Sequence, residues 1–168
     1  MRRILVIGSG GAGKSTLSRR LGERLGLEVL HLDAFYWLPG WVETPKDEWR
    51  RTVEGLCARE SWVMDGNFSG TLDLRLTACD TVVFLDVPRA VCLWRVLKRL
   101  VMYRNTPRPD MAAGCGEKFD PKFLHWVWTY PSESRPKILA RLEEFAAGKR
   151  VVRLRSDAEV EKFLAEVG

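Results

Sequence analysis

The chain has 168 residues, 46% hydrophobic and 29% charged, with 27 Lys and Arg against 22 Asp and Glu for a net charge of +5. That length suits one domain with a sizeable core and no separate substrate domain, and no apolar run approaches the roughly 18 residues of a membrane span. The four cysteines (Cys57, Cys79, Cys92, Cys115) form no C-x-x-C pair, so neither a zinc site nor a disulfide framework is expected, and the modest basic excess suits a polyphosphate ligand without demanding DNA.

Strand and helix patterns alternate from end to end, which predicts an α/β fold with a parallel sheet covered by helices. The start, MRRILVIG, has too short an apolar stretch for a signal peptide and runs straight into glycines, so Arg3 to Ile7 reads as a buried strand and the expected compartment is the cytoplasm. Next comes Gly8-Ser9-Gly10-Gly11-Ala12-Gly13-Lys14-Ser15-Thr16, a complete G-x-x-x-x-G-K-S phosphate-binding loop. Glycines let successive backbone N–H groups converge on an anion, and the following helix turns its positive end toward it. In such a loop Lys14 reaches the β/γ-phosphates of ATP and the Ser15 hydroxyl ligates Mg²⁺. The same letters spell G-x-G-x-x-G (Gly8, Gly10, Gly13) with Asp33 downstream, as a dinucleotide site would. Lys-Ser-Thr on the first helical turn has no use there, which favours the triphosphate reading.

Leu17, Leu21 and Leu25 line one face of the first helix, Lys14 to Leu25, which Gly26 ends. Glu28 to Leu32 reads as a strand delivering Asp33 to its carboxyl end, Pro45 to Glu60 as a helix, and Trp62 to Met64 as a short strand ending at Asp65. Thr81 to Leu85 is the most apolar strand, and Pro88 opens a helix running to about Tyr103. Residues 104–131 lack a clean period and are rich in Pro, Gly and charge, yet hold Phe119, Phe123, Trp126, Trp128 and Tyr130. Too much aromatic surface for disorder, this stretch is expected to form a lid. Ser132 to Ala147 reads as a helix, Arg150 to Leu154 as the last strand, and Ser156 to Glu159 as a capping box opening a terminal helix.

Phosphoryl transfer needs Mg²⁺ held, charge neutralised and the attacking group oriented. Asp33, Asp65 and Asp86 stand at predicted strand ends, where ligands bind in open α/β sheets. Asp33 is placed to act as a base near the γ-phosphate, Asp65 is preferred for the metal, and Asp86 with Pro88 at once behind it reads as the start of the next helix. Arg95 and Arg99 fall four apart on the helix entering the lid and would grip base and phosphate, with Arg135 a further catalytic candidate and Arg75, Arg104 and Arg108 weaker ones. Phe35-Tyr36-Trp37 would wall an acceptor pocket for a flat ring, whereas His31 and His125 read as structural because neither has a ligand-spaced partner.

Locally, His31-Leu32-Asp33-Ala34-Phe35-Tyr36 resembles the D-x-F-Y element of uridine-kinase-like enzymes, which implies that Asp33 activates an acceptor hydroxyl. Asp65-Gly66 resembles the D-G element of adenylate-kinase-like proteins, which implies Mg²⁺ held through water. Together with Phe84-Leu85-Asp86-x-Pro88-Arg89, Arg108-Pro109-Asp110-Met111 and Trp126-x-Trp128-x-Tyr130-Pro131, these segments resemble the adenylate-kinase-related DNA topology modulation (FlaR-type) proteins over nearly the whole chain. That resemblance implies a P-loop kinase fold with a five-stranded parallel sheet in the order 2-3-1-4-5, ATP and Mg²⁺ as cofactors, and a small phosphoryl acceptor. Asn67-Phe68 replaces the Phe-Pro-Arg of adenylate kinase, so AMP is not the implied acceptor. A nucleic-acid-associated NTPase is the alternative expectation, though no DNA-reading motif is present; no membrane partner is expected, and the letters are silent on oligomeric state.

Overall fold

A computed structural model describes residues 1–103, 110–116, 118–145 and 147–167. In chain order the elements begin β1 (Arg3–Gly8), α1 (Lys14–Leu25), β2 (Val29–His31), α2 (Leu32–Tyr36), β3 (Trp37–Leu38), β4 (Val42–Glu43), α3 (Lys46–Cys57) and β5 (Trp62–Asp65). They continue with α4 (Leu72–Ala78), β6 (Thr81–Leu85), α5 (Arg89–Met102), α6 (Pro121–Glu133), α7 (Arg135–Phe145), β7 (Arg150–Leu154) and α8 (Asp157–Glu166). Five strands pair in parallel in the order β2-β5-β1-β6-β7, which counted along the chain is the expected 2-3-1-4-5. The short β3–β4 pair is a separate antiparallel hairpin.

Both faces of the sheet are covered, so its strands read as continuous apolar runs. Successive residues of β1 point to opposite sides: Leu5 and Ile7 pack with Trp49, Val53 and Leu76 from α3 and α4, while Ile4 and Val6 pack with Leu17, Leu21 and Phe163 from α1 and α8. Helix α6 serves both layers, with Tyr130 in the first cluster and Val127 in the second.

Three departures from the sequence reading have local causes. Pro45 and Pro88 are N-caps, one residue outside the helices they were expected to begin. Asp33 lies on the short helix α2, one residue past its start, and not on a bare strand end. The largest departure is α6, which occupies Pro121–Glu133 inside the stretch expected to be an irregular lid. Asp120 caps it by accepting from the N–H groups of Lys122 and Phe123 at 2.9 and 3.3 Å, with Pro121 in the first turn. Pro131 lies within the helix near its end, so the helical segment expected from Ser132 is split into the close of α6 and all of α7.

Candidate active site

The glycine-rich loop lies between the carboxyl end of β1 and the amino end of α1, and its shape depends on how closely neighbours approach it. Gly11 has φ +76°, and a Cβ there would sit 2.2 Å from the Cys92 carbonyl oxygen on α5. At Gly10 a Cβ would meet the Phe123 ring of α6 at 2.5 Å. Backbone conformation and carbonyl both demand glycine at Gly11, while a side chain at Gly10 would have to displace the Phe123 ring, so α5 and α6 close over the loop directly. Lys14 folds back and donates through Nζ to the carbonyls of Gly8 and Ser9, both at 3.0 Å. Burial lowers its pKa, opposed by the charges of Asp33 and then Asp65.

A cleft of about 630 Å³ opens beside the loop. Gly10, Gly11, Gly13, Lys14, Ser15 and Thr16 line one end, together with Arg95 and Arg99. Arg95 points Nη1 at the Ala12 carbonyl, 3.4 Å away, and is held by a two-pronged ion pair with Asp157 on α8 at 2.7 and 2.8 Å. Asp33, Trp37, Trp41, Glu43, Phe68 and Asp110 also line it, with Arg19, Lys118 and residues of α5 and α6 among the rest. Lys14, Ser15, Asp33, Arg95 and Arg99 all line this one cavity.

Arg135 and Asp65 are placed otherwise. Arg135 is absent from the cleft wall and donates Nε and Nη2 to Asp86 at 2.9 and 3.3 Å, while Arg153 donates Nε to the same carboxylate at 2.7 Å. Burial raises the Asp86 pKa, but the two guanidinium groups outweigh it and hold the acid below its ordinary value. Asp86 is therefore occupied as a partner of two cations. Asp65 is 2% exposed and does not line the cleft, and His31 Nδ1 is 2.7 Å from its Oδ2. The contact comes from register, which the sequence reading of His31 as structural did not include: β2 and β5 run in parallel with His31 opposite Asp65. Burial lowers the His31 pKa, yet the hydrogen bond and charge of Asp65 raise it further, for a net increase. No group of three His, Cys, Asp or Glu side chains is gathered for a metal among the described residues.

Two supporting residues were not legible as such. Asn67 grips both sides of Gly8, its Oδ1 accepting from the Gly8 N–H at 3.2 Å and its Nδ2 donating to the Gly8 carbonyl at 2.6 Å. Arg75, expected as a phosphate contact, is instead fully buried. Its guanidinium donates to the carbonyls of Gly66, Asn67, Phe68 and Thr71 between 2.7 and 3.2 Å, and burial pulls its pKa down to about 10. A buried cation that satisfies four carbonyls fixes the loop carrying Asn67 and Phe68. Arg104 and Arg108, with the first part of the expected lid, lie outside the described residues.

No family model matches the chain. It is similar to the uncharacterized protein YqaC of Bacillus subtilis (strain 168), 29% identical over 131 residues that cover 77% of this chain and 72% of that protein. Among solved structures it resembles shikimate kinase from Acinetobacter baumannii in complex with shikimate, with a TM-score of 0.57 and 20% identity over 99% of this chain and 90% of that one. It also resembles an unliganded sugar kinase from Janibacter sp. HTCC2649, with a TM-score of 0.55 and 22% identity over 98% of this chain and 93% of that one. At these identities the likeness establishes a shared α/β fold. No helix among the described residues is long and apolar enough to cross a membrane.

Proposed function

We propose that the protein is a small-molecule kinase that transfers the γ-phosphoryl group of ATP to a hydroxyl-bearing acceptor. One observation carries this reading: Lys14, at the amino end of α1, and Asp33 line the same cleft, and each feels the other's charge. The fit to a polyphosphate rests on the donor set. The loop from Gly8 to Thr16 surrounds an ammonium, the Ser15 hydroxyl and the first turn of a helix, with two guanidinium groups beside it. The sugar kinase and shikimate kinase that the chain resembles share this fold, which favours the reading as an analogy.

In this proposal Lys14 leaves the Gly8 and Ser9 carbonyls to hold the β/γ-phosphates, while Ser15 and, through water, Asp65 hold Mg²⁺. When bound, Mg²⁺ supplies charge neutralisation at the phosphates. Asp33 accepts the proton of the acceptor hydroxyl, and Arg95 and Arg99 counter the charge that builds up near the loop. Arg135 acts at a distance by holding Asp86. We further propose kinship with the adenylate-kinase-related FlaR-type proteins, on the motifs given above. The nucleic-acid alternative draws only on that group's name and the net charge of +5.

The test is ADP release from Mg²⁺-ATP in the presence of nucleosides, nucleoside monophosphates and small hydroxylated metabolites. Acceptor-dependent release with a phosphorylated product is expected. Release at the same rate in water alone would mark the protein as an NTPase.

A further inference from the structure

Resting on the kinase reading above, we infer that Trp41 is a specificity-determining residue whose indole lies against the phosphoryl acceptor and not against ATP. Trp37, Trp41 and Phe68 give the cleft an aromatic wall. Its rings run in continuous contact: Trp41 meets Trp37 edge to face at 5.3 Å, Trp37 meets Tyr36 at 4.9 Å, and Tyr36 meets Phe68 at 4.6 Å. Trp37 directly follows α2, the helix that carries Asp33, so the wall continues the element bearing the proposed base.

What singles out Trp41 is its backbone. It has φ +65°, the one non-glycine residue in the left-handed region among the described residues, and Gly40 before it has φ +81°. A side chain in that region crowds the following carbonyl oxygen, so hairpin turns ordinarily place glycine or asparagine there. A tryptophan serves the turn badly. Nor does it serve the core, because Trp41 is half-buried and belongs to neither hydrophobic cluster. What the strained conformation achieves is to keep the indole in the cleft wall.

The ring is fixed in that position. Its Nε1 donates to the Gly116 carbonyl at 3.1 Å, and Lys118 Nζ stands 4.9 Å from the ring centroid. The hairpin is fastened to residues 110–116 in turn: Gly40 N–H donates to the Gly114 carbonyl and Cys115 Sγ to the Leu38 carbonyl, both at 3.3 Å. A Cβ on Gly114 would press on Pro39 at 3.2 Å, so the two segments meet closely. An indole held this way loses little freedom when a ligand ring settles on it. The phosphate loop, by contrast, takes its close contacts from α5, α6 and Asn67.

The test measures KM for ATP and for the acceptor in Trp41→Gly and Trp41→Phe, offering adenosine, uridine, their 5′-monophosphates and shikimate, with urea midpoints alongside. Trp41→Gly relieves the backbone while deleting the ring's own contacts, so its midpoint is expected within about 0.5 M of the parent. Its acceptor KM is expected to rise about tenfold, the scale of one lost stacking contact, with the ATP KM within about threefold. Trp41→Phe keeps a ring face and is expected to stay within about threefold of the parent for both. An unchanged acceptor KM in Trp41→Gly, or an equal rise for ATP, overturns the inference and leaves the kinase reading standing. A Trp41→Gly midpoint below that range also overturns it, since the ring would then be a structural latch. If none of these compounds stimulates ADP release, the kinase reading itself fails and takes the inference with it.

Discussion

The two ends of the cleft are built on different principles. The glycine-rich loop is specified by nine consecutive residues, and besides the hydrogen bonds from Asn67 and Arg95 its outside contacts are close approaches of backbone or ring to a glycine. The aromatic end gathers residues from α2, the hairpin, the loop after β5 and residues 110–116, and is held by ring contacts and single hydrogen bonds. A site made of adjacent residues tolerates little change but is easy to read. A site gathered from distant segments can vary its contents without disturbing the sheet, which is where a shared fold acquires different substrates.

The contrast can be broken at several points, beginning with the chemistry of the loop. Lys14→Ala should lower turnover by roughly 10²–10³ with ATP as donor, because it removes a charge contact to the transferring group. Turnover within a few-fold of the parent would remove Lys14 from the proposed machinery. Gly11→Ala comes next. A side chain at φ +76° with its Cβ 2.2 Å from the Cys92 carbonyl should cost roughly 1–3 kcal/mol in backbone strain, before the clash is counted. Urea unfolding measures it, and an unchanged midpoint would show that the loop is less constrained than its geometry implies.

Asn67→Ala tests the joint between the two ends, since Asn67 holds Gly8 while its neighbour Phe68 lines the aromatic wall. Losing both hydrogen bonds should cost about 1–2 kcal/mol and weaken ATP binding by roughly 5–30-fold, read by titration calorimetry. Affinity equal to the parent's would separate the two ends. The smallest effect concerns pH. His31 titrates near 6.5 in an unfolded chain and higher in the folded one, with Asp65 the main cause of the rise and Asp110 adding to it against Arg19. The stabilisation from this pair is therefore complete below about pH 6.5 and is lost as pH rises through the folded value. Denaturant midpoints should fall between pH 6 and pH 8 in the parent and less so in His31→Gln, and parallel profiles would contradict the assignment.

The legibility of the chain follows the same division. The sheet order, α1 and the gathering of Lys14, Ser15, Asp33, Arg95 and Arg99 follow from local pattern and the resemblance it carries, because period and loop spacing are properties of neighbouring residues. Helix α6 was hidden by Pro131 and by apolar residues on several of its faces, which packs it into both core layers and erases the one-sided stripe that marks a surface helix. The Asp120-Pro121 pair was the readable signal of its start. The His31–Asp65 contact depends on strand register, and the burial of Arg75 on a loop folding around it; neither is a property of spacing.

Where β1 and β5 part company, at Val6 opposite Asp65, the ladder gains one more rung from a side chain. The carboxamide of Asn67 is a peptide group in miniature, and it answers Gly8 as a neighbouring strand would, donor to acceptor on both sides. The central strand is thereby kept extended to the last residue before the backbone must curl. An aspartate there would lose the donor and a glutamine would overshoot by a methylene, so the amide's length and its two-sidedness are both part of the architecture.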